Sequence, residues 1–155
     1  MTESTFDCWR AVVATHAAVT DRAQRALSAA DLPPLSWFEL LWAVQRSEQG
    51  HPRMSDLAAQ LTLSRGGITK LVDRLQEAGY LTRVACPEDR RSLRAELTPA
   101  GERMLEEMRA VYEEEIGRHL GALTGEQAEQ VRSALESVTT STCRGAHAAA
   151  PVATH

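Results

Sequence analysis

The sequence predicts a mainly α-helical fold carrying one small β-hairpin, and two observations lead there. Apolar residues recur at helical spacing over most of the chain, as in Leu105, Met108, Tyr112 and Ile116. One late stretch breaks that period: in Leu93-Arg94-Ala95-Glu96-Leu97 apolar and charged residues alternate, the pattern of a half-exposed strand.

Start and stop signals then divide the chain in order. The spacing predicts a first helix over 4–29, ended by Asp31-Leu32-Pro33-Pro34, because paired prolines cannot continue a helix. Ser36-Trp37-Phe38-Glu39 has the form of a capping box and opens a second helix over 37–46, closed by Gly50-His51-Pro52. Ser55 and Ser64 are the expected caps of a short helix over 55–61 and a longer one over 65–78. Gly79 then supplies a left-handed stop. Strands over 80–84 and 93–97 flank the charged loop Cys86-Pro87-Glu88-Asp89-Arg90-Arg91. Thr98-Pro99 places a cap before a first-turn proline and opens a long helix over 99–120, where Met104 and Val111 widen the apolar stripe. Thr124-Gly125-Glu126-Gln127 repeats the capping box ahead of a last helix over 126–140, with Val131, Leu135 and Val138 on one face. Residues 141–155 are rich in small residues and read as a flexible or loosely docked tail.

Composition excludes several classes of function. The 155 residues, 43% of them hydrophobic, suffice for one domain with extensions. No apolar run approaches the ~20 residues that cross a bilayer. The first residues lack the basic and apolar regions of a secretory leader, so a cytoplasmic protein without membrane contact is expected. Cys8, Cys86 and Cys143 are too scattered for a disulfide framework or a metal site, and the five histidines have no ligand spacing. Nucleophile motifs, phosphate-cradling loops and metalloprotease helices are missing from the sequence, so neither an enzyme nor a cofactor is expected. The net charge of −4 hides a division: residues 62–95 hold seven basic groups against four acids, a net of +3 on an acidic body. Such a stretch attracts phosphate locally without indiscriminate sticking, although a merely solvated charged face would look the same.

The segment MSDLAAQLTLSRGGITKLVDRLQEAGYLTR carries the function. A short helix, a tight turn and a second helix satisfy helix-turn-helix geometry. Ala58 is small where the two helices should cross, and Leu57, Leu61, Ile68, Leu71, Val72 and Leu75 fill the core beneath them. The second helix presents Arg65, Gly66, Thr69, Lys70, Asp73 and Arg74. Short residues near its start permit close approach to the floor of a DNA major groove, and basic ones reach phosphates or guanine edges.

This segment, the glycine after it, the strand at Leu81, the Asp89-Arg90-Arg91 loop and the Leu97-Thr98…Gly101 return resemble the MarR (multiple antibiotic resistance regulator) family in order and spacing, over residues 5–140. The resemblance implies a winged helix-turn-helix with long dimerisation helices, mainly α with a small β-hairpin wing. It divides the chain into a dimerisation helix over 1–34, a DNA-binding lobe over 35–98, C-terminal dimerisation helices over 99–140 and a tail over 141–155. It implies a sequence-specific transcriptional regulator of double-stranded DNA, a repressor released from a pseudo-palindromic operator. Its DNA-binding residues would be Ser64, Arg65, Gly67, Thr69, Lys70 and Arg74 on the reading helix, with Asp89, Arg90 and Arg91 in the wing. One wing arginine would enter the minor groove, steadied by the aspartate, and sequence does not decide between Arg90 and Arg91.

A homodimer would space two reading helices by one turn of DNA, ~34 Å. The long helices would supply its interface, unless their stripes close a core within the chain. The resemblance also implies a small aromatic or phenolic effector, with Trp9, His16, Trp37, Trp42 and Tyr112 as ligand-binding candidates. Two alternatives stand beside this reading. One is an architectural DNA-binding protein on the same fold. The other is a redox sensor using Cys8, against which Ala11 stands at the position expected for the sensing cysteine and Ser36 at that of a supporting tyrosine.

Overall fold

The computed structural model describes residues 3–47, 52–85 and 93–147. Their order is α1 (Glu3–Ala29), α2 (Leu35–Gln45), α3 (Met54–Gln60), α4 (Arg65–Glu77), β1 (Leu81–Ala85), β2 (Leu93–Leu97), α5 (Pro99–Leu120) and α6 (Gly125–His147). Strands β1 and β2 pair antiparallel from Leu81↔Leu97 to Ala85↔Leu93. Arg53 adds a single bridge to Arg94, and the Ala95 N–H donates to the Pro52 carbonyl at 3.2 Å, so the chain entering α3 lies along the outer edge of the hairpin.

The molecule divides into two compact units, residues 1–116 and 117–155. In the first unit one core runs through every element. Ala23 and Leu27 of α1 join Leu40, Leu41 and Val44 of α2, Leu57 of α3, Ile68, Val72 and Leu75 of α4, Leu81 and Ala95 of the hairpin, and Leu105 and Met108 of α5. Each of these side chains is almost wholly removed from water. In α4 the buried residues recur at 68, 71, 72 and 75, the three- and four-residue spacing that keeps one helix face inward.

Three of these helices end in the same way. After α4 the Tyr80 N–H donates to the Leu75 carbonyl and the Gly79 N–H to the Gln76 carbonyl, with Gly79 at φ 77°. This is the Schellman arrangement, which satisfies the last carbonyls through one left-handed residue. After α1 the left-handed residue is Asp31 (φ 55°), and after α3 it is Thr62 (φ 53°). A β-branched threonine in that region is held there by its surroundings: the following Leu63 N–H donates to the Ala58 carbonyl at 2.9 Å.

Several local expectations need correction. Ser36 does not cap α2. The helix starts one residue earlier with Pro34 in the cap position, and its first N–H, that of Leu35, donates instead to Gln24 Oε1 on α1 at 2.9 Å. Ser55 lies inside α3, whose cap position is Arg53, and its hydroxyl donates to Asp56. A cap residue must stand outside helical φ/ψ, and neither serine does. Strand β1 starts at Leu81 because the Tyr80 amide is already committed to α4. The tail expected to begin at residue 141 continues α6 as far as His147. Gly145 alone weakens a helix without ending it.

The Ser64 and Thr98 caps form as read. Gly67 N donates to Ser64 Oγ at 3.0 Å, and Gly101 N to Thr98 Oγ1 at 3.0 Å. The Thr98 hydroxyl in turn donates to the Gly79 carbonyl at 2.6 Å, joining the end of α4 to the start of α5. Gly101 completes this joint, because a Cβ there would lie 2.0 Å from the Tyr80 carbonyl oxygen.

In the second unit, Thr124 and Gln127 form the expected capping box at 2.9 and 3.2 Å. Arg132 bridges Glu129 and Glu136 along one side of α6.

Candidate nucleic-acid interface

Helices α3 and α4, joined by residues 61–64, form the helix-turn-helix. Its crossing is closed by the buried Leu57 and Ala58 and by Ile68 and Val72. Because α4 buries only one face, the opposite face is fixed: Arg65, Gly66, Thr69, Lys70, Asp73 and Arg74 are all exposed. Ser64 satisfies an amide at the helix start, and Gly66 has no atom within 4 Å of where a Cβ would stand, so the backbone there is open to close approach. Thr69 donates its hydroxyl hydrogen to the Arg65 carbonyl at 2.8 Å, leaving only its acceptor lone pairs and a methyl group to meet a partner.

The charges on this face fall into two groups. Among the described residues none forms an ion pair with Arg65, Lys70 or Arg74, and all three extend from the exposed face. Arg83, by contrast, reaches from β1 to Asp73. Of the DNA-contact candidates, Ser64, Arg65, Thr69, Lys70 and Arg74 are exposed, whereas Gly67 is half-buried against Ser64 and Leu63. Asp89, Arg90 and Arg91 lie outside the described residues.

The effector candidates do not share one place. Trp9 is exposed on α1, where it lines a shallow groove with Phe6 and Val13. Trp37 packs edge-on against Tyr80, with ring centroids 5.9 Å apart. Trp42 and Tyr112 come together through Phe38, at 5.9 and 4.6 Å. The guanidinium groups of Arg46 and Arg109 lie 5.6 and 5.0 Å from the Trp42 ring centre, within range of its quadrupole. His16 faces a cleft of about 560 Å³ between α1 and α2, lined also by Thr20, Gln24, Ser36 and Glu39.

Glu39 belongs to this region and sequence reading assigned it to a helix cap instead. Burial raises its carboxyl above the ordinary carboxylate range, with His16 pulling the other way. Tyr112 is raised by burial and then by the negative charge of Glu39. Cys8 is a free, exposed thiol on α1, whereas Tyr80 and Tyr112 pack on Trp37 and Phe38.

With the geometry in place, comparison with known proteins identifies the architecture. Residues 30–92 match the sequence profile of the MarR family. The HTH-type transcriptional repressor IacR of Pseudomonas putida is 30% identical over 123 residues, which cover 79% of this chain and 72% of that protein. The fold is similar to the crystal structure of AbsC, a MarR family transcriptional regulator from Streptomyces coelicolor. The TM-score is 0.78 at 25% identity, over 94% of this chain and 97% of the other. It is also similar to CouR from Rhodococcus jostii RHA1 bound to p-coumaroyl-CoA, with a TM-score of 0.74 at 25% identity, over 89% and 95% of the two chains. Among the described residues no helix is long and apolar enough to cross a membrane. The chain belongs to the MarR family, whose members are DNA-binding transcriptional regulators rather than enzymes.

Proposed function

We propose that this regulator is a homodimeric repressor that reads a short pseudo-palindromic operator through α4 and is released by a small aromatic or phenolic effector. The observation that carries the reading is the exposed face of α4, where Arg65, Lys70 and Arg74 stand without ion-pair partners among the described residues around a start of small residues. Thr69 adds an acceptor and a methyl group, which suit an adenine amino group or a thymine methyl on the groove floor. Asp89, Arg90 and Arg91 carry the minor-groove contact in this reading. The second copy is supported by apolar side chains left exposed on α1 and α6.

The effector reading rests on the Phe38–Trp42–Tyr112 cluster, flanked by the Arg46 and Arg109 guanidinium groups, and on the neighbouring cleft at His16. Aromatic faces beside positive charge suit an aromatic anion. The ligand seen on CouR and the repressor role named for IacR are in keeping with this. The effector can shift operator binding only by its differential affinity for the two states.

Footprinting on the DNA flanking its own gene tests the first part. A short protected inverted repeat is expected, whereas broad protection governed mainly by salt would mean an architectural protein. Arg74→Ala and Arg91→Ala should each weaken the complex by about 1–3 kcal/mol while the dimer persists. Titration of phenolic carboxylates into the operator complex tests the second part, and a complex that none of them weakens removes the effector reading.

A further inference from the structure

Asp73 is an acid in the middle of the surface proposed to meet DNA, beside Thr69 and between Lys70 and Arg74 in sequence. Alone, it would repel the phosphates that its neighbours attract. The structure gives it a partner from another element. Arg83 Nη2 on β1 donates to Asp73 Oδ1 at 2.5 Å and makes a longer contact of 3.4 Å with the Thr69 carbonyl, one turn earlier on α4. The Arg83 side chain is 23% exposed and that of Asp73 53%, so the arginine end is shielded while the carboxylate stays in contact with water. Asp21–Arg25, Arg109–Glu113 and Arg132 with Glu129 and Glu136 each join residues of a single helix. Arg83–Asp73 instead joins the reading helix to the first strand of the wing.

We infer that Arg83 and Asp73 form a positioning strut, which fixes the direction of the β-hairpin relative to α4 and so the register of the two DNA-reading elements. The inference rests on α4 being the reading helix. Neither residue touches DNA in this role. Arg83 is anchored at the other end by its strand, where it pairs in register with the fully buried Ala95. One nitrogen serves both contacts: Nη2 carries two N–H donors in the rigid guanidinium plane, one for the carboxylate and one for the carbonyl.

The sign of one substitution separates this role from simple electrostatics. Removing an acid from a DNA-binding face should tighten binding by reducing repulsion. If the strut matters, Asp73→Asn weakens it. The experiment measures operator and non-specific DNA affinity over a series of salt concentrations for wild type, Asp73→Asn, Arg83→Ala and the double variant, with thermal unfolding in parallel. Each single substitution is expected to lower operator affinity about tenfold, and the double variant no further, as for two ends of one interaction. The salt slope should stay near its wild-type value, because no phosphate contact is lost, while non-specific affinity follows net charge, slightly tighter for Asp73→Asn and slightly weaker for Arg83→Ala. Three results would overturn the strut: unchanged or tighter binding by Asp73→Asn, a slope reduced by about one in Arg83→Ala as for a lost phosphate contact, or additive losses. If Arg83→Ala does not fold, Asp73→Asn decides alone by the sign of its effect. A wild-type chain without operator preference overturns the reading of α4, and the strut with it. Wild-type preference with indifferent variants overturns the strut alone.

Discussion

Helices α4 and α6 carry the same kind of apolar stripe and put it to opposite use. Ile68, Leu71, Val72 and Leu75 of α4 are buried within their own unit. Val131, Leu135 and Val138 of α6 remain 48%, 43% and 64% exposed. Periodicity shows that a helix has an apolar face and leaves open what covers it. Phe6, Trp9 and Val13 of α1 repeat the α6 pattern, so exposure concentrates on the elements outside the helix-turn-helix. Exposed apolar area of this kind is what the proposed homodimer would cover.

The strongest way to break the contrast is to truncate both stripes. Leu75→Ala is expected to cost about 2–5 kcal/mol, because a fully buried leucine leaves a cavity. Chemical denaturation measures that loss, and a cost below about 1 kcal/mol would mean the α4 face is loosely packed. On α6 the paired change Leu135→Asp with Val138→Asp should act on assembly, weakening self-association by more than about tenfold in sedimentation equilibrium. A dimer as tight as wild type would assign that stripe to something other than a second copy.

Smaller effects sharpen the same comparison inside the first unit. Thr62→Gly removes a left-handed penalty of about 1–2 kcal/mol and adds about 0.5–1 kcal/mol of unfolded-state freedom. A net gain of about 0.5 kcal/mol, read as a higher urea midpoint, is the expected result. A loss would show that the threonine side chain contributes contacts outweighing its backbone strain. The smallest change concerns Glu39. Its carboxyl is raised in the folded state by burial, so the unfolded chain gives up that proton first as pH rises past the ordinary value of 4.5. Above that range the group disfavours folding. Glu39→Gln should therefore raise the unfolding free energy slightly at pH 7, by about 0.5 kcal/mol or less given its partial exposure to solvent, and have no effect near pH 3.5, as denaturant titration at the two pH values would read. A gain that persists at pH 3.5 would have a cause other than charge.

What sequence made legible was local. The Ser64 cap, the Gly79 stop and the Thr98–Pro99 start each depend on residues at most five apart, and each stands where its motif lies. Ser36 and Ser55 show the limit, since a hydroxyl in a capping motif does nothing if the helix begins before it. The start of α2 was set by Gln24, eleven residues away on another helix, a partner no local pattern names. Similarly, counting charges placed Arg83 among the DNA-attracting groups, and only folding brought it to Asp73. The five aromatic and histidine candidates share a residue type, and packing separates them into a groove (Trp9), a cleft (His16), an edge-on pair with Tyr80 (Trp37) and the cluster around Phe38 (Trp42 and Tyr112). Glu39 was hidden by the capping box it was assigned to.

The joint at Thr98 and Gly101 has a consequence for how this chain could be recombined. Helix propensity would favour alanine over glycine at position 101 by about 1 kcal/mol, yet the Tyr80 carbonyl leaves no room for even one methyl group. A library randomised at that codon should return glycine. The four residues Thr98-Pro99-Ala100-Gly101 then have to travel together in any chimera: a splice within them separates the threonine from its glycine and should yield insoluble protein, whereas one that keeps both should not.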